Sequence, residues 1–81
     1  MIRLNDNTDL NILKEYGFIV KDDKAYYPNV KDKNIIDILV KDRKLELATF
    51  DGLLYNTEDI YRTIDLLYKL KEDKIIRGEL F

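Results

Sequence analysis

The chain of 81 residues contains no cysteine, no histidine and no tryptophan, and has one proline, three glycines and one methionine. Without cysteine, neither a disulfide nor a thiolate metal site can staple a small core. Losing histidine as well removes the commonest general base and most zinc sites. Gly17, Gly52 and Gly78 stand far apart, so a glycine-rich phosphate loop cannot form. No segment approaches the roughly 20 apolar residues of a membrane-spanning helix, and Met1 to Asp6 lack the apolar run of a signal peptide. The expected location is the cytoplasm, without a membrane partner. Neither sign of charge dominates: 14 basic residues against 16 acidic ones leave a formal charge of −2.

Hydrophobic residues make up 46% of the chain and charged residues 37%, a mixture that suits a soluble globular domain. One domain, residues 1–81, is expected, and at this size it buries only about 60–65% of the surface its unfolded chain exposes. The two signs alternate at close range, as in Lys21-Asp22-Asp23-Lys24 and Lys41-Asp42-Arg43-Lys44, the usual pattern of a solvated surface. A nucleic-acid binder normally gathers its Lys and Arg on one face. With the signs interleaved along the chain, no direct nucleic-acid contact is expected.

Val-Lys-Asp occurs at residues 20–22, 30–32 and 40–42, and Phe50-Asp51-Gly52 follows ten residues later. Charged turns at a ten-residue beat are the spacing of a β-meander. Before it, Asn7 or Thr8 caps a short helix carrying Leu10, Leu13 and Tyr16, and Gly17 stands where a left-handed residue ends it. The first hairpin, Phe18 to Pro28, is open between a two- and a three-residue connection, which send Tyr26 and Tyr27 to opposite faces. In the second, pairing Val40 with Leu45 aligns Ile36, Ile38, Val40, Leu45, Leu47 and Thr49 on one apolar face. Asp42-Arg43 lacks the glycine of a tight turn, which favours a four-residue loop, Lys41 to Lys44. Asn56 or Thr57 caps the long helix, where Ile60, Tyr61, Ile64, Leu66, Leu67, Tyr68 and Leu70 cover about 220° of the circumference. That is wider than one sheet contact needs, so a flank must meet something else: the first helix, the tail Ile75 to Phe81, or another molecule. The tail can add a short edge strand. The expected fold is α+β, a three- or four-stranded antiparallel β-meander with a long C-terminal helix and a short N-terminal helix packed on one face.

Candidate chemistry is sparse. Asp37 and Glu46 fall near one another on the open sheet face, but paired-carboxylate catalysis also needs a concave pocket. Asp22-Asp23 and Asp51 lack the alternating oxygen ligands of a calcium loop. No catalytic residue, metal or cofactor is assigned, and the protein is not expected to be an enzyme. The six tyrosines offer amphipathic area of the kind that anchors interfaces.

Leu13-Lys14-Glu15-Tyr16-Gly17-Phe18, the tyrosine-rich hairpin, the Ile35 to Phe50 hairpin, the helix from Thr57 and the apolar tail together give a familiar layout. It resembles small, mostly uncharacterised proteins of phages and prophages of low-GC Gram-positive bacteria. Those with a known role are often inhibitors of host defence, including anti-CRISPR proteins that block a nuclease by binding it. The resemblance implies a non-enzymatic protein-binding module that occludes a surface of a host defence protein. The surface expected to do so is the open sheet face, Ile35, Leu39 and Phe50, with Tyr26 from the first hairpin. A homodimeric structural or regulatory protein, joined through the same patch or through Tyr61 and Tyr68, is one alternative. A sponge for a small nucleotide is another. The expected partner is therefore a host protein or a second copy of the chain.

Overall fold

Both charged turns close two-residue hairpins, and those turns set the registers of the sheet. The computed structural model describes residues 2–47 and 57–78. Its elements run β1 (Arg3–Leu4), a 3-10 helix (Leu10–Tyr16), β2 (Ile19–Lys21), β3 (Lys24–Pro28), β4 (Ile36–Lys41), β5 (Lys44–Glu46), α1 (Thr57–Glu72) and β6 (Ile76–Arg77). The strands form one sheet in the order β2-β3-β4-β5-β1-β6, with every pairing antiparallel. The protein is thus an α+β domain with an antiparallel sheet and a C-terminal helix.

Among the described residues the sheet has six strands, not three or four. β2 to β5 are the meander. The other two, β1 and β6, have two residues each, too few for alternation to show in the sequence. They form by pairing Arg3 with Arg77 and Leu4 with Ile76, which puts the C-terminal strand at a sheet edge.

In the first hairpin Lys21 pairs with Lys24, Val20 with Ala25 and Ile19 with Tyr26. Tyr27 consequently turns to the core side, its ring centroid 5.2 Å from that of Phe18, while Tyr26 faces the other way. Pro28 ends β3 at a shift of register, a position that asks for no backbone donor. In the second hairpin Val40 pairs with Leu45 as expected, but Lys41 pairs with Lys44, so the loop has two residues instead of four. Asp42 and Arg43 have φ of 53° and 65°, the paired left-handed conformations of a type I′ turn. Leu47, expected opposite Ile38, lies beyond the end of β5 and is 43% exposed. Thr49, Phe50, the Asp51-Gly52 turn, the Asn56 cap and the last three residues of the apolar tail lie outside the described residues.

Leu4, Ala25, Ile38, Val40, Leu45 and Ile76 line one sheet face and form a single buried cluster with Leu13, Phe18, Leu67, Leu70 and Ile75. The short first helix is 3-10, capped by Asp9 instead of Asn7 or Thr8; the Asp9 carboxylate accepts from the backbone N–H of Asn11 at 2.9 Å. Gly17 ends it at φ 95°, where an added Cβ would sit 3.1 Å from Cε1 of Tyr27. A side chain there meets both backbone strain and a packed ring. No helix among the described residues is long and apolar enough to cross a membrane.

Tyr16, the last residue of the 3-10 helix, donates its hydroxyl to the Asp73 carboxylate at 2.8 Å and so ties the two ends of the chain together. That hydrogen bond raises the phenol pKa above its ordinary value, with smaller contributions from desolvation and from the negative charges of Asp73 and Glu15. The phenol is the donor, so its stabilisation is fully present below the unfolded pKa of about 10 and is lost as pH rises through the higher folded value. Wild type and Tyr16→Phe should therefore converge in denaturant midpoint above about pH 10. A gap that stays constant into strong alkali would show that the hydrogen bond adds nothing.

Candidate functional site

Alternation along the strands gives the sheet a second face, opposite the core. Lys21 pairs with Lys24; one step beyond the Ala25–Val40 pair, Lys24 stands beside Lys41; Lys41 pairs with Lys44, Lys44 with Arg3, and Arg3 with Arg77. Six cationic side chains thus form one row across all six strands, each exposed. At about 4.8 Å between strands the row is about 24 Å long. Like charges directly opposite one another destabilise a sheet, so this alignment is unfavourable to the fold itself.

Ion pairing relieves only one end. Asp6 lies 3.6 Å from Arg3 and 3.3 Å from Arg77. Lys21, Lys24, Lys41 and Lys44 make no ion pair within 4 Å among the described residues. Asp22, Asp23 and Asp42 occupy the turns and border the row on that side. On its other side runs a second row of paired residues, Ile19, Tyr26, Leu39 and Glu46. Where the two rows meet, Lys21, Lys24, Tyr26 and Leu39, together with Asp22 and Asp23, line an open cavity of about 260 Å³.

Helix α1 carries a second exposed apolar surface. Leu67 and Leu70 join the core, whereas Ile60, Tyr61 and Tyr68 are 43%, 63% and 51% exposed, with Ile64 partly buried between them. Tyr61, Ile64 and Tyr68 stand at i, i+3 and i+7, so they share one side of the helix. The surplus flank anticipated from the wide apolar arc is this one.

Of the six side chains expected to bind a partner, the five among the described residues fall on two surfaces. Tyr26 and Leu39 are cross-strand neighbours on the outer sheet face, both partly buried. Ile35, just before β4, is partly buried as well. Tyr61 and Tyr68 belong to the α1 flank, and Phe50 lies outside the described residues. Glu46 stands opposite Leu39 as expected, which sets Asp37 diagonal to it on the same face, but their surroundings differ: Glu46 is exposed, whereas Asp37 is buried and accepts from the Asn29 side-chain amide at 3.2 Å. The same Asn29 accepts the backbone N–H groups of Lys31 and Asp32, which fixes the turn between β3 and β4.

Reading the charges along the chain missed the cationic row, because two residues adjacent in sequence point to opposite faces while residues paired across strands point to the same one. The signal was present in the two Lys-x-x-Lys turns: a two-residue hairpin loop places its flanking residues side by side on one face. No family model, curated protein or solved structure matches the chain.

Proposed function

We propose that the protein is a non-enzymatic binding module, encoded by a phage, that acts in the cytoplasm of a bacterial host by occluding a surface of a defence protein. The observation that supports this reading is the α1 flank. Tyr61 and Tyr68 are more than half exposed and, with the partly buried Ile64 between them, stand at i, i+3 and i+7, the spacing by which a helix anchors in an apolar groove. Tyrosine is also among the residues that most often dominate binding energy, through a large rigid ring with a polar end. The layout that resembles phage inhibitors of host defence supplies the class of partner.

Titrating purified bacterial defence nucleases with the protein tests this directly. Stoichiometric inhibition of one of them is expected, and Tyr61→Lys should raise the concentration for half-inhibition by about 30-fold, the effect of losing an anchor worth about 2 kcal/mol. Its melting temperature should stay at the wild-type value, because residue 61 is mostly solvated. Full nuclease activity throughout, or inhibition that survives the substitution, would refute the reading. The same flank also favours self-association; in that case light scattering gives a mass that rises with concentration, and Tyr61→Lys stays monomeric.

A further inference from the structure

We infer that the outer sheet face is a binding site for single-stranded nucleic acid, with the sugar-phosphate chain lying along the cationic row and bases resting on Ile19, Tyr26 and Leu39. This reverses the expectation drawn from interleaved charges and stands apart from the α1 flank. The cations are regular: six side chains in one row about 24 Å long, four of them lysines without an ion pair among the described residues. Such a line matches a one-dimensional polyanion better than the mixed surface of a folded protein or the two-dimensional plane of a membrane. An aromatic and apolar row beside a cationic track is the arrangement by which sheet faces hold single strands, with stacking on one side and phosphates on the other. The cavity framed by Lys21, Lys24, Tyr26 and Leu39, with Asp22 and Asp23 at its rim, is where the two rows can engage one nucleotide together.

Duplex DNA fits less well. Its major groove, about 12 Å wide, admits a helix or a two-stranded ribbon, and the row spans six strands. The turn carboxylates Asp22, Asp23 and Asp42 repel an anion from one border of the row, and Glu46 closes the end of the second row. An anion is thereby steered over Tyr26 and Leu39. The unfavourable alignment of like charges is relieved when phosphates lie between them, a stabilisation that only the bound state receives.

Fluorescence anisotropy with a labelled single-stranded oligonucleotide of about ten nucleotides tests the site. Neutralising four phosphates gives a slope of about −3 in log affinity against log salt, so a fourfold rise in salt weakens binding about 50-fold. In Lys24→Gln/Lys41→Gln two contacts remain, and the same rise in salt weakens binding only about 7-fold. Its melting temperature should be equal to or above that of wild type, since three like-charge contacts, Lys21–Lys24, Lys24–Lys41 and Lys41–Lys44, are gone. Tyr26→Ala should weaken binding at every salt concentration while keeping the wild-type slope. No binding at low salt, an unchanged slope in the double variant, or equal preference for polyglutamate or anionic vesicles would overturn the assignment. None of these substitutions touches α1, so nuclease inhibition through Tyr61 stands or falls separately.

Discussion

Replacing Leu70 with alanine is expected to remove about 3 kcal/mol of stability. Leu70 has no exposed surface and sits in the cluster that joins α1 to the sheet. A domain of this size has roughly 4–12 kcal/mol in total. The loss would lower the melting temperature by about 12–24 °C. Tyr61→Ala, nine residues earlier on the same helix, should change stability by no more than about 0.5 kcal/mol. Denaturant unfolding of both variants reads the rotational setting of the helix. A Leu70→Ala loss below about 1 kcal/mol, or a Tyr61→Ala loss of several, would show that a different side of α1 faces the sheet.

That setting was only half legible from the sequence. The apolar arc was too wide to choose between the Leu66-Leu67-Leu70 side and the Ile60-Tyr61-Tyr68 side. Hydrophobic periodicity could not help, because the buried seam continues toward the helix N-terminus through polar residues, Asp59 and Thr63. Asp59 is held there by Arg62 at 2.8 Å, an i,i+3 pair. Where i,i+4 spacing would pair Glu58 with Arg62 and Asp65 with Lys69, Glu58 instead reaches Lys31 at 3.4 Å and Lys69 reaches Asp73 at 3.6 Å. The Thr63 hydroxyl is buried without a hydrogen-bond partner among the described residues. Tolerating a desolvated hydroxyl in the seam costs stability, and it leaves the larger apolar side chains of the helix on the flank.

The β2–β5 meander with its charged turns and the Val40–Leu45 register follow from local chemistry, and both are present. The β1–β6 pairing does not, since it joins residues more than seventy positions apart through two residues on each side. The cationic row depends on that pairing as well. The two hairpin turns alone give the pairs Lys21–Lys24 and Lys41–Lys44; the β3–β4 register joins them, and Arg3 and Arg77 extend the line only once the two ends of the chain meet beside β5.

Arg43 offers the sharper test of how distant contacts override local preference. Its turn lacks the glycine that left-handed geometry favours, yet both central residues adopt positive φ. The Arg43 guanidinium donates to the backbone carbonyls of Asn5 and Thr8, and the Arg43 carbonyl accepts the N–H of Leu4. These bonds hold the segment after β1 against the turn. Arg43→Ala should lose about 2–3 kcal/mol, because it removes a charged donor from two carbonyls and keeps the strained backbone. Arg43→Gly loses the same bonds but relieves the strain, and should recover about 1 kcal/mol relative to alanine. In a four-residue loop with ordinary φ the order would invert, since glycine would then add only unfolded-state entropy. Chemical denaturation of the two variants decides between these cases: glycine more stable than alanine supports the type I′ turn, and alanine more stable than glycine refutes it.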